Sequence, residues 1–375
     1  MSAAGHEQRA HAYLSCSSSE RWLNCTVAPS LEAKFSDEAS PYALEGTKAH
    51  ELAEAALMGG FSADDVRGDY SREMRDYVQM YIDYARGIDP SGHLMVEQRL
   101  DVSSWVPECF GTSDAVIVSD SRLHIADLKY GKGLRVDTER NSQLMLYALG
   151  AWDAYDCIYG PFETVVMHIA QPRLDHYSSW EVAVHELLAW GESIKPIARM
   201  AFNGEGTATA GDHCQFCKAR HTCRARAERM LTAVGDMTKG DHLSDDELSA
   251  IYPRLGEIVK WANDLESYCL ARVEGGTALH GLKLVEGRSV RRWVDDLAVV
   301  ERLTAAGYDP GQFSTTKIEG ITAIEKLVGK KKFSEVLGDL VVKPPGKPTL
   351  VPVTDERPEI SNHDLAVSEL LSSPL

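Results

Sequence analysis

An aspartate and a lysine two positions apart, Asp127 and Lys129, close the apolar run IADLK and lead into a glycine-rich turn, YGKG. On a strand, side chains alternate with a period of two, so both project from one face. A second acid, Asp114, stands upstream in GTSDAVIV. If DAVIVSDSRLHIADLK folds as a hairpin turning at Asp120-Ser121, Ser119 pairs with Arg122, and counting outward in step brings Asp114 opposite Asp127. Two carboxylates facing each other at roughly 5 Å repel, and a divalent cation between them removes the conflict. Hard oxygen ligands beside an ammonium suit hydrolysis of a phosphodiester. The cation activates water and neutralises the scissile phosphate, while Lys129 orients the nucleophile or stabilises the developing oxyanion.

Two further motifs carry polar groups toward such a site. In GTKAHELAE, His50 shares a helix face with Ala53 and Leu57, which turns its imidazole inward. In NSQLMLYALG, Gln143 and Tyr147 stand at i and i+4, where Gln143 can reach the lysine, a phosphate or ligand waters. Either motif alone fits a core histidine or plain amphipathic patterning. GKG lacks the spacing of a phosphate-binding loop, although Lys132 and Arg135 can touch a DNA backbone.

The ordered set GTKAH, GTSD, DLK, QLMLY resembles the nuclease signature of the RecB-like family within the PD-(D/E)XK superfamily. That resemblance spans His50 to Tyr147. It implies a restriction-endonuclease-like α/β core, a small mixed β-sheet with flanking helices. It further implies that His50, Asp114, Asp127 and the Leu128 carbonyl hold Mg²⁺ or Mn²⁺, that Lys129 is catalytic, and that Gln143 and Tyr147 support the site. Asp127 stands where many members carry Glu, a departure the superfamily pattern permits. The implied activity is that of a metal-dependent deoxyribonuclease of phage or prophage type, an exonuclease processing DNA ends for recombination or replication. A non-catalytic DNA-end-binding scaffold of the same fold, and a zinc-stabilised RNA-processing nuclease, are the rivals.

The chain has 8 cysteines, and HCQFCKARHTC clusters Cys214, Cys217 and Cys223. Three thiolates need a fourth ligand. His213 or His221 would complete a Cys₃His zinc site, whereas Cys25 would complete the four thiolates of a [4Fe–4S] cluster. Iron–sulfur members of the RecB-like family carry one cysteine before the nuclease core and three after it, so the resemblance implies Cys25 and the cluster. Such a clamp would close the domain with a loop-entropy value on the order of 5 kcal/mol, by analogy with disulfides. Cys16 is a substitute for Cys25, and Cys109, Cys157 and Cys269 read as core residues.

Positioning these groups requires a sheet and its covering helices. At 375 residues and 44% hydrophobic content the chain can bury one large core and a smaller attached unit. Ser17 and Glu20 have the spacing of a capping box for a helix carrying Trp22 and Cys25. Helices are expected from Glu45 to Met58, along the Tyr77, Met80, Tyr81, Tyr84 face, and from Asn141 to Tyr155. A β-meander is expected from Leu94 to Tyr130, then strand TVVMHIAQ, then a strand and helix through WEVAVHELLAW. The expected divisions are a core domain over 1–235, a mostly helical domain over 240–340 containing one long helix after Ser244, and a Pro-rich linker and tail over 341–375.

The formal charge of −17 argues against wholesale phosphate binding but not against a local groove. Basic clusters at RARAERM, at Arg288, Arg291 and Arg292 with Trp293, and at Lys330 to Lys332 are candidates to line one, with Trp293 stacking on a base. The tail DLAVSELLSSPL is a candidate docking segment for a single-strand-binding protein or recombinase. No apolar run reaches the roughly 18 residues of a membrane span, and the first residues lack an export-signal pattern. A cytoplasmic protein without a membrane partner is expected, in the bacterial host if phage-encoded.

Overall fold

A computed structural model describes residues 12–36, 40–235, 244–287, 289, 291–313, 320–342, 346–352, 355 and 357–360. Its residues form two compact units, Met1–Trp261 and Ala262–Leu375.

The first unit is built on a five-stranded sheet in the order β1-β2-β3-β4-β5. The strands are β1 (His93–Asp101), β2 (Phe110–Ser119), β3 (Arg122–Leu128), β4 (Thr164–Gln171) and β5 (His176–Ala183). All neighbours run antiparallel except β3 and β4, which are parallel and joined through helix α5 (Ser142–Tyr159). A parallel pair needs such a crossover because a tight turn cannot return the chain in the same direction. The fold class is therefore the expected α/β one, a small mixed sheet with helices on both faces.

Alternation along β3 decides which helices cover which face. Leu123 and Ile125 join Val165, Met167 and Ile169 of β4 in a core shared with α5, α1 (Ser19–Asn24) and α6 (Val184–Asn203). Leu128 and Ala170 face the other way, onto α3 (Pro41–Gly59) and α4 (Arg72–Ile88). The ends of these helices follow from local chemistry. Ser40 caps α3 by accepting from the Ala43 N–H, Pro41 occupies its first turn, and Gly60 ends it at φ 67°. Ser71 caps α4 and Asn141 caps α5 in the same way. On α4 the buried stripe is Met74, Val78, Tyr81, Ile82 and Ala85, while Met80 lies 40% exposed, off the expected face. Gly150 lets α5 approach β1 closely, since a Cβ there would lie 3.0 Å from the Asp101 carbonyl.

Several sequence expectations are corrected here. Ser17 and Glu20 form no capping box. Residues Cys16–Ser18 make a 3₁₀ turn, α1 starts at Ser19 with no side-chain cap, and Cys25 lies just past its end. α2 (Ala28–Glu32) follows it. The long helix after Ser244 is two helices. Ser244 and Glu247 cap α8 (Asp245–Ile251) reciprocally, the chain tightens at Tyr252–Arg254, and α9 (Leu255–Glu274) resumes beyond. Pro253 lacks the N–H that a continuous helix would use there. α7 (Arg224–Gly235) follows the clustered cysteines as expected. The division between the units falls inside α9, not at residues 235–240.

The second unit is mostly helical. Helices α10 (Asp296–Ala305), α11 (Ile321–Val328) and α12 (Lys330–Leu337) enclose Val299, Leu303, Phe313 and Leu337. Two short ladders accompany them: β6 (Leu282–Gly287) with β9 (Gly346–Pro352), and β7 (Arg292–Trp293) with β8 (Val341–Val342). The expected linker over 341–375 thus contains two paired strands. Pro348 and Pro352 sit in β9, a strand paired only to β6, the sheet-edge position where a missing N–H is tolerated. The docking tail falls on 361–375, outside the described residues.

Candidate functional site

The β2–β3 hairpin has the register counted from the sequence. Ser119 pairs with Arg122 and Ala115 with Ala126, and the turn is opened by Asp120 at φ 43°. The ladder stops at Ala115, one step short of the acids. Beyond it, Asp114 accepts the Leu128 N–H through Oδ2 at 2.6 Å. Leu128 therefore meets Asp114 through its amide, with its side chain buried in the core behind. Asp127 stays in register with Ile169 of β4 and is only 4% exposed.

Lys129 Nζ lies 2.9 Å from Asp127 Oδ2 and donates to Gln143 Oε1 at 3.0 Å. The Gln143 amide then donates to Asp127 Oδ1 at 3.3 Å and to the Tyr147 hydroxyl at 3.1 Å. One side chain on the first turn of α5 thus holds both members of the acid–lysine pair, and Tyr147 backs it from the next turn. Burial opposes the charge on Lys129, but the Asp127 carboxylate outweighs it and the lysine pKa rises. Burial pushes Asp127 upward, and Asp114 adds to this against the pull of Lys129.

His50 completes the polar side of the site from α3. Its Nδ1 is 3.1 Å from Asp114 Oδ1, while Ala53 and Leu57 on the same helix face are buried. Burial favours the neutral ring, yet the Asp114 charge and hydrogen bond, helped by Asp127, raise its pKa to about 9. Side-chain exposure grades from 5% at Asp127 through 13% at Asp114 and 27% at Lys129 to 36% at His50, so the mouth of the site lies on the histidine side.

Sequence reasoning missed Glu97. Its carboxylate lies with the ligand atoms of His50 and Asp114, all within 4.8 Å of one another, a set able to hold a metal ion. Burial and the charge of Asp114 raise its pKa to about 7. A hairpin with a two-residue turn would have revealed its position, but the β1–β2 connection is too long for the register to be counted. The residues fit a divalent cation by their chemistry, one imidazole and hard carboxylates converging on a half-buried pocket.

The cysteines converge as well. Cys25, Cys214, Cys217 and Cys223 line one pocket with His213 and Arg21. Backbone N–H groups of Thr209 and Gly211 point at the sulfurs of Cys25 and Cys214, at 3.5 and 3.4 Å. Burial, with Glu32 nearby, pushes the Cys217 thiol up to about 12, so a ligating thiolate there needs a metal to stabilise it. A tetrahedral zinc with Zn–S of ~2.3 Å holds its sulfurs ~3.8 Å apart. Among the described residues, no three Cys or His ligand atoms of this cavity come within 4.8 Å of one another. His213 donates from Nε2 to the Thr209 carbonyl (2.9 Å), and its hydrogen bond with Cys25 raises its pKa. Cys16 is no substitute for Cys25: its sulfur lies 3.7 Å from that of Cys109 inside the sheet core. Cys109 is buried as expected, Cys269 is half-buried and Cys157 is exposed.

The basic clusters lose most of their freedom to bind phosphate. Arg291 pairs with both Glu325 oxygens at 2.7 and 2.9 Å, and Trp293 packs on Phe333 rather than standing open for a base. Arg229 is tied to Glu257, Arg226 is buried against the Arg220 carbonyl, and Lys332 lies over the Tyr308 ring. Arg135 pairs with Asp137, whereas Lys132 is exposed in its loop. Arg288 and the Lys330 side chain fall outside the described residues.

Fold and site together define a mixed α/β protein with a cluster of one histidine and acidic side chains, able to hold a cation, at the end of a central hairpin and a separate pocket lined by four cysteines. The chain belongs to the DUF2800 family, described as a protein of unknown function, which it matches over residues 11–358. The solved structure described as "Crystal structure of SSO0001" is similar at 12% identity, over 53% of this chain and 95% of its own, with a TM-score of 0.24, and that likeness carries no argument. Among the described residues no helix is long and apolar enough to cross a membrane.

Proposed function

We propose that this protein is a divalent-metal-dependent deoxyribonuclease that hydrolyses phosphodiester bonds, an exonuclease of the RecB-like PD-(D/E)XK type processing DNA ends. The observation that carries the reading is the bonded set of Asp127, Lys129 and Gln143 beside Asp114, which accepts the Leu128 N–H and bonds His50 at the mouth of the site. Mg²⁺ or Mn²⁺, held by His50, Asp114 and Asp127 with the Leu128 carbonyl, would neutralise phosphate charge and lower the pKa of a bound water. The chain's own groups do the rest. Lys129, kept protonated by Asp127, presents an ammonium to a phosphate oxygen or to the attacking water. Gln143 holds that ammonium and the Asp127 carboxylate in fixed relation, so neither must reorganise as charge develops. Tyr147 stays a neutral phenol under burial and keeps Gln143 in place. Cys25, Cys214, Cys217 and Cys223 hold a structural [4Fe–4S] cluster in this reading, with zinc as the alternative. Partner binding through the C-terminal tail is part of the same proposal.

Digestion of end-labelled DNA with Mg²⁺ or Mn²⁺ tests the activity. Wild type should degrade it, and Lys129→Ala should be slower by on the order of 10²–10³-fold, the usual loss for one charge-stabilising donor. Equal rates in the two, or none in either, would favour a non-catalytic DNA-end-binding protein. Preferential digestion of RNA in competition would favour an RNA-processing enzyme.

A further inference from the structure

We propose that Glu97 is a further direct ligand of the divalent cation, standing with His50 and Asp114 on the side of the site away from Asp127. The inference rests on the metal-dependent reading above and extends it to a residue outside the sequence motif. Strand pairing supplies the first argument. Val96 pairs with Ala115 and Gln98 with Ser113, so the register is the same on both sides of Glu97 and places it opposite Asp114. Glu97 itself drops out of the ladder at φ 51°, a left-handed backbone that a glutamate adopts only when its surroundings impose it. A mid-strand residue with no register shift to absorb has no need of that conformation for pairing. It does aim the side chain, and the carboxylate ends within 4.8 Å of the His50 and Asp114 ligand atoms.

Tyr81 supplies the second argument. It is 0% exposed on α4, and its hydroxyl has no hydrogen-bond partner among the described residues. Burial, and after it the charges of Asp114, Asp127 and Glu97, hold that phenol well above its ordinary pKa. Buried hydroxyls are nearly always satisfied, so an unpaired one among three acids points to a bound group or its waters as the partner. Like charges facing across a strand pair are ordinarily avoided, and a cation shared by Glu97 and Asp114 resolves that conflict. The imidazole nitrogen in the set favours Mn²⁺ over Mg²⁺, which prefers all-oxygen coordination.

Titration of the full-length chain with Mn²⁺, followed by electron paramagnetic resonance of the free ion, tests the assignment without reference to activity. Glu97→Gln and Glu97→Gly should each weaken Mn²⁺ binding by at least the ~10–100-fold that lost supporting groups cost a metal site. Glu97→Gly should also raise the Tm of the metal-free protein, because glycine adopts this backbone without strain. Glu54→Gln, which removes a nearby charge on α3 outside the cluster, should leave binding within about 3-fold of wild type. If the Glu97 variants bind Mn²⁺ like wild type while Asp114→Asn does not, Glu97 is no ligand and the metal-site reading stands. Equal weakening by Glu54→Gln and Glu97→Gln would also overturn the assignment, in favour of general charge. A wild-type chain that binds no Mn²⁺ would sink both the assignment and the reading beneath it.

Discussion

His50 holds its proton tightly because Asp114 sits 3.1 Å away, and this makes cation binding a proton-exchange reaction. At pH 7 the ring is below its pKa of about 9 and carries the proton. The sign follows from that. A raised folded-state value means the His50–Asp114 pair stabilises the metal-free protein fully below the unfolded pKa of ~6.5, and that stability is lost as pH rises through about 9. A cation that takes the imidazole lone pair must displace the proton, so Mn²⁺ binding at pH 7 should release about one from His50, and a further fraction from Glu97 with its pKa of about 7. Calorimetric titration in buffers of different ionisation enthalpy measures this, and identical enthalpies in all buffers would show that His50 is not displaced. At this scale much was readable in advance. A two-residue turn fixes a countable spacing for Asp114, Asp127 and Lys129, and one helical turn does so for Gln143 and Tyr147; that His50 and Gln143 reach the acids was implied only by the resemblance to the RecB-like signature. Glu97 was invisible for the opposite reason. Its place depends on the pairing of β1 with β2 across a connection whose length sets no register, and on a backbone angle that residue type does not reveal.

At the scale of elements, β3 and β4 carry a second polar group away from the site. His124 of β3 and His168 of β4 stack at 5.4 Å, with Nδ1 of His124 3.2 Å from Nε2 of His168, and Tyr84 of α4 bonds His168 Nδ1 at 3.0 Å. Burial, with His124 beside it, lowers the His168 pKa to about 4. The unfolded chain, with a value of ~6.5, therefore binds the proton first, and stability falls as pH drops from ~6.5 toward about 4. His168→Gln should narrow the loss of unfolding free energy between pH 7 and pH 4.5 by about 2 kcal/mol, at ~1.4 kcal/mol per pH unit. Urea titrations at the two pH values check it, and an unchanged loss would mean the pair is not held neutral. Most elements were predictable because capping residues and periodicity are local: Ser40 and Gly60 bound α3, and Pro172 ends β4. The failures were tertiary or overlooked local breaks. Pro253 split a helix whose apolar pattern runs on through it. Trp293 was read as open to a base, yet it is held by Phe333, a partner distant in sequence.

Across the whole molecule, the formal charge of −17 and the pairing of Arg291 and Arg229 with acids reduce the positive surface open to phosphates. A nuclease built this way must draw much of its hold on DNA from the cation site and a few exposed cations such as Lys132, not from a wide electrostatic surface. The four-cysteine cavity joins Cys25, just past α1, to the segment between α6 and α7, tying the start of the first unit to its later part. Purified anaerobically, the protein should be brown and contain iron, and Cys25→Ser should lose the metal and unfold at lower temperature. A colourless preparation with stoichiometric zinc and no iron would assign the cavity to the Cys₃His alternative with His213.

In the proposed reaction, water attacks a DNA phosphorus atom under the control of Asp114, Asp127 and Lys129. Digestion in ¹⁸O-labelled water with Mn²⁺, followed by mass analysis of the released nucleotides, tests it most directly. The account predicts one ¹⁸O in each newly formed terminal phosphate for wild type and no product above background for Asp114→Asn. Product without ¹⁸O in its phosphate, or full activity in Asp114→Asn, would contradict it.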